Sequence, residues 1–246
     1  MTAPHPPTRL PDLPRCHDLA ERIRIILERN PLAFPDVMRE APLRVVAGNE
    51  FRTVHEHDGT VRVRRLLDWD DDDAPGSEMI VFAGSFLTAD DRESPDELDA
   101  PTMLAWRLLE DLCDMADAYE ARHPPPAATI RAHDLAAITD DALAANPQFF
   151  PPWLMELLAQ GAFVIDKPPE WDDTGASIGF FEETAAGSRV VIVAPNLLDG
   201  ADEYGDAWVH REVLITLCHE FEHHYGNVRG YDPLGDREDF FDRLGQ

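Results

Sequence analysis

The chain of 246 residues carries 48 acidic against 21 basic side chains, a formal charge of −27, with 44% hydrophobic residues. So negative a surface opposes nucleic acid and anionic membranes and leaves cationic peptides or proteins as the easier partners, unless the acid serves solubility alone. The ordinary apolar content excludes a disordered or fibrous chain, and the length suits one large domain or two of about 110–120 residues.

Residues 1–14, "MTAPHPPTRLPDLP", read as a disordered proline-rich tail without an apolar stretch of signal-peptide length. No run approaches the roughly 20 apolar residues of a membrane span. Cys16, Cys113 and Cys218 cannot all pair, and Leu112 and Leu217 beside the last two mark them as small core residues. A reducing cytoplasm is the expected compartment.

The first unit, 15–122, opens with "RCHDLAERIRIILERNPLAFP" over 15–35, and "RAHDLAAITDDALAANPQFFP" returns over 131–151. Ten of these twenty-one positions match without a gap, among them His17/His133, Asn30/Asn146 and Pro35/Pro151. Both histidines precede helices, where capping or packing accounts for them. The match resumes with "SEMIVFAGSFL" (77–87) over "SRVVIVAPNLL" (188–198), then with the helix around Cys113 over the one around Cys218. Two homologous units are expected.

Inside the first unit, "TVHEHDGTVRV" (53–63) reads as a hairpin turning at Asp58-Gly59, with His55 and His57 on one exposed side. "DWDDDDAPG" (68–76) reads as a solvated acidic loop, lacking the spacing and closing Glu of an EF-hand. The linker, 123–130, is proline-rich and stiff.

The second unit, 131–246, predicts helices over 133–145 and 151–160 and strands over 162–166, 178–183 and 189–194. A helix follows from Asp206 or Ala207 to Tyr225, stopped by Gly226. The fold class is α+β, a tandem duplication of one small unit.

That last helix contains "CHEFEHHYG", residues 218–226. His219 and His223 lie one turn apart, about 6 Å along the axis, so both imidazoles can grip one cation. Neutral imidazoles at this spacing suit tetrahedral zinc with an open position, and Glu220 lies beside it as a general base and acid. Val209, Val213, Leu214, Leu217 and Phe221 form the apolar side, which turns Glu212, Thr216, His219 and His223 toward a cleft. In the first unit Asp114, Met115 and Ala118 stand where His219, Glu220 and His223 stand in the second. The trio is therefore dispensable for the helix, which points to chemistry.

"HEFEHHYG", preceded by a hairpin and a "PNLL"-type turn, resembles the minimal zincin-like metallopeptidases of bacteria, whose pattern is HExxHxxGxxD. The resemblance covers 140–246 and is strongest over 188–226. It implies Zn2+ held by His219 and His223, with Glu220 catalytic. The family's third ligand falls at Arg229, so "NVRGYDPLGDRED" reads as an insertion. Asp232 is the first choice for that ligand, since turns at Gly226 and Gly230 bring it back, with Asp236 and Glu238 as competitors. His224, Tyr225, Arg229 and Tyr231 are candidates for an oxyanion-stabilising donor. No methionine follows His219, which excludes the Met-turn of metzincins.

The expectation is a zinc metallopeptidase acting on a peptide or protein substrate, a basic one suiting the acidic surface, with the first unit a degenerate copy. The alternative is a non-catalytic acidic interaction protein with a structural or vestigial zinc, which predicts zinc without turnover. A third reading, an acidic nucleic-acid mimic without metal, is separated from both by metal analysis.

Overall fold

A computed structural model describes residues 13–46, 50–56, 59–65, 67–70, 78–82, 100–156, 161–169 and 177–229. The architecture is mixed α+β. The first half runs α1 (Leu13–Arg29), α2 (Asp36–Glu40), β1 (Leu43–Val46), β2 (Glu50–Glu56), β3 (Gly59–Arg65), β4 (Leu67–Asp70), β5 (Glu78–Phe82) and α3 (Ala100–Arg122). The second runs α4 (Leu135–Ala145), α5 (Pro152–Met155), β6 (Ala162–Ile165), β7 (Gly179–Thr184), β8 (Gly187–Val193) and α6 (Ala194–Arg229).

Periodicity explains the helices. In α1, Leu19, Ile23, Ile26 and Leu27 recur on one stripe and are buried, as are Leu108, Leu109, Leu112 and Met115 of α3. Burying that much aliphatic surface, at about 25 cal/mol per Å², stabilises helices that propensity alone would leave marginal. Val190 to Val193 are buried without alternation, because β8 is flanked by strands on both sides and packed against α6.

The two halves build their sheets the same way. The strand orders are β1-β5-β4 and β6-β8-β7, with the first pair parallel and the second antiparallel in each. Met79 pairs with Leu43 and Trp69; Val190, its counterpart in the aligned strands, pairs with Ala162 and Phe181. The Met79 amide donates to the Pro42 carbonyl (2.9 Å) and the Val190 amide to the Gly161 carbonyl (3.1 Å). The β2–β3 hairpin forms a separate two-stranded sheet, with Glu56 opposite Gly59 at the turn expected from Asp58-Gly59. His57 and Asp58 lie outside the described residues.

The halves meet reciprocally. Asn30 and Asn146 exchange side-chain hydrogen bonds of 2.8 and 2.9 Å, and each also donates to a carbonyl of its own helix, Ile26 or Ala142. Trp106 Nε1 of α3 donates to the Phe149 carbonyl (3.0 Å), while Arg211 Nη1 of α6 donates to the Ala33 carbonyl (2.7 Å). Alignment of Asn30 with Asn146 and of Cys113 with Cys218 makes Ala33 the counterpart of Phe149 and Trp106 that of Arg211. One buried cluster runs through both halves. Cys113 and Cys218 are buried and form no disulfide, and burial pushes the Cys113 thiol well up.

Some expectations are corrected. Helix α1 begins at Leu13, inside the expected tail, since the proline at 14 is tolerated in a first turn. Residues 195–198, expected as a "PNLL"-type turn, lie within the first turns of α6. That helix starts at Ala194, breaks at Gly205 (φ 81°, ψ 179°), and continues through Gly226 to Arg229. A glycine ends a helix where it adopts a positive φ, and among the described residues the positive-φ glycines are Gly161, Gly187 and Gly205 but not Gly226. Asp68–Asp70 belong to β4, and residues 71–76 of the expected acidic loop lie outside the described residues, as do 157–160 of the expected second helix. His133 is exposed and stands 3.4 Å from Asp134 without packing in the core. No described helix is long and apolar enough to cross a membrane.

Candidate metal centre

The linker and the Gly205 break together aim the second part of α6. A Cβ at Gly205 would come within 2.9 Å of the Pro125 ring, so the linker lies directly on the break. Asp206, the first residue after it, accepts hydrogen bonds from the Thr129 amide (2.7 Å), the Thr129 hydroxyl (2.5 Å) and the Ile130 amide (3.0 Å). Burial alone would raise the Asp206 carboxyl, but these donors outweigh it and hold the carboxyl below its usual range.

From Asp206 the helix is unbroken through the motif. Val209, Val213, Leu214, Leu217 and Phe221 are all buried, as the pattern predicts. Around them the helix is buried on almost every side; between Val209 and Phe221 only His219 is exposed, with Ile215 and Glu212 half-buried along the same stripe. The four-residue spacing places His219 and His223 on that stripe, about 6 Å apart along the axis. The His223 side chain lies outside the described residues, as do those of His224, Tyr225 and Arg229.

Thr216 and Glu212 do not open on a cleft as expected. Thr216 is buried against Gly179, where a Cβ would overlap the threonine methyl and crowd the Val191 carbonyl. The absence of a side chain at Gly179 thus lets α6 approach β7. Glu212 faces α3; burial lifts its carboxyl to about 7, Asp117 adding to the rise and Arg211 opposing it. Arg211 itself is almost wholly buried and bonds Asp117 (2.8 Å) and Glu120. Burial works against its charge, yet those carboxylates hold its pKa above the usual value.

Glu220 is 6% exposed. Burial raises its carboxyl to about 7, while a hydrogen bond accepted from the Phe181 backbone amide pulls the other way. That amide lies on the free side of β7. Ladder bonds alternate along an antiparallel pair, and Val190, opposite Phe181, turns its own amide to Gly161 on the far side. Phe181 and Gly179 therefore point away from β8, along the side where α6 passes.

In the first half Met115 occupies the place of Glu220 and is equally buried, at 3%. A thioether rests there at no electrostatic cost, whereas a carboxyl costs free energy unless compensated. Sequence comparison found this contrast; it did not find Phe181, Arg211 or Asp206 as the groups that set the helix in place. A lone arginine within an apolar helical pattern was the available signal for Arg211.

The donor set of His219 and His223 on one continuous turn, with His219 open to solvent and a buried carboxyl next to it, fits zinc. Among the described residues no group of three or more His, Cys, Asp or Glu side chains gathers. Asp232, Asp236, Glu238 and Tyr231 lie outside the described residues. Comparison with family models, curated proteins and solved structures finds no match to this chain.

Proposed function

We propose that the chain is a zinc-dependent, zincin-like metallopeptidase of the cytoplasm, formed by tandem duplication, in which the second half carries the chemistry. The observation that carries this reading is the contrast between equivalent helices: His219, Glu220 and His223 on α6 against Asp114, Met115 and Ala118 on α3. The shared strand order and register of the two sheets support the duplication.

His219, His223 and a third ligand, Asp232 first, would hold zinc, which would supply Lewis-acid polarisation of the scissile carbonyl and acidify water. Glu220 takes a proton from the attacking water on its carboxylate and returns it to the leaving amine nitrogen. A carboxyl near 7 is poised for both transfers at neutral pH. The outward amides of β7 beside the helix suit an extended peptide, held by main-chain pairing. The first half braces α6 through Asp117, Glu120 and the Ala33 carbonyl.

The expected outcome for Glu220→Gln is zinc retained at the parental stoichiometry with peptide cleavage reduced by about 100-fold or more. Metal analysis beside a cleavage assay on unfolded casein checks it; unaltered cleavage would refute the role of Glu220. The charge of −27 favours a second reading, a non-catalytic acidic interaction protein with a structural or vestigial zinc. That reading requires zinc without turnover in the parent, and salt-weakened association with a basic partner.

A further inference from the structure

Free strand edges invite pairing, and in the two three-stranded sheets carboxylates meet outward amides of the antiparallel edge strands β4 and β7. On β4 the Leu67 amide donates to Asp111 Oδ2 of α3 (3.0 Å), and the Trp69 amide to Asp68 Oδ1 (2.8 Å). On β7 the Phe181 amide donates to Glu220 of α6. Asp111 and Asp68 have no part in the proposed chemistry, so their edge stays closed at no cost to function. Glu220 is different, because the carboxylate that closes the β7 edge is the one assigned to proton transfer.

We propose that the Glu220–Phe181 hydrogen bond is a resting latch, and that the main-chain carbonyl of an extended peptide replaces the Glu220 carboxylate on the Phe181 amide when the peptide docks on β7. The identity of the ligand rests on the peptidase reading. A peptide strand pairing with this edge must direct a carbonyl at each outward amide, and a carbonyl and a carboxylate oxygen compete for one N–H. The Phe181 amide exchanges one acceptor for another, so the cost of opening the edge is that of leaving the Glu220 carboxylate without its donor. Glu220 is thereby released only when a backbone lies along β7. Gly179 is the positioning residue, since any larger side chain would push β7 away from Thr216 and stretch the latch.

Hydrogen exchange at the Phe181 amide, measured by NMR on the full metal-free chain, tests this without requiring turnover. Glu220→Ala should speed exchange at Phe181 about tenfold or more, whereas Glu220→Gln, which keeps an acceptor oxygen, should stay within about threefold of the parent. Unchanged exchange at Val190 to Val193 certifies that β8 is intact in both variants. Oxidised insulin B chain at saturation should restore protection of Phe181 in Glu220→Ala and bind that variant about threefold or more tighter than the parent. Equal exchange in the parent and Glu220→Ala overturns the latch, as does a B chain that leaves Phe181 unprotected. If the B chain protects Phe181 but the zinc-loaded parent never cleaves it, the latch stands and the peptidase reading falls.

Discussion

Two glutamates on α6, Glu212 and Glu220, sit where burial resists their charge, yet the consequences differ. Glu220 meets a backbone donor; Glu212 meets Asp117, with Arg211 only partly offsetting the repulsion. Because the folded Glu212 carboxyl titrates near 7 against an ordinary 4.5, the folded chain holds that proton more tightly than the unfolded one. Its contribution is favourable below about pH 4.5 and is lost as pH rises through 7. Glu212→Gln should therefore be more stable than the parent at pH 8, by on the order of 2 kcal/mol, and indistinguishable from it at pH 4. Urea denaturation at the two pH values checks this; an equal gain at both would show that relief of burial and not proton linkage is at work.

The helices with repeated apolar spacing were legible because helical periodicity is a short-range signal, and α1, α4 and the core stripe of α6 appear where it places them. The Gly205 break was half legible: the helix was expected to start at Asp206 or Ala207, but nothing local showed that residues 194–204 are helical too. What joins those parts is non-local, since the Pro125 ring on Gly205 and Thr129 on Asp206 come from the linker. Gly205→Ala should cost about 2 kcal/mol, because a side chain is strained at φ 81° and meets the Pro125 ring as well. Chemical denaturation measures the loss, and a neutral or stabilised variant would mean that the linker yields freely. The candidate site divides in the same way: HExxH spacing is visible in a string of letters, whereas the Phe181 partner of Glu220 requires knowing which side of β7 faces α6.

Across the whole molecule, a charge of −27 means that compaction brings like charges together. Raising sodium chloride from about 0.02 to 0.5 M shortens the Debye length from roughly 20 to 4 Å and should raise the melting temperature by about 3 °C. Calorimetry across that range checks it, and a falling melting temperature would show that the paired charges around Arg211 outweigh the general repulsion. The repeated "NP" segments were legible in the sequence, but the joining of the two halves was not. Asn30 and Asn146 matched as letters, and only the fold reveals that they bond each other.

The mutual grip of Trp106 on Phe149 and Arg211 on Ala33 has a mechanical corollary. Arg211 precedes His219 by eight residues, about 12 Å of helix, so the half without the HExxH motif anchors the shaft on which His219 and His223 stand. A loosened turn at Ala33, far away in the chain, would slacken that shaft before any histidine changed.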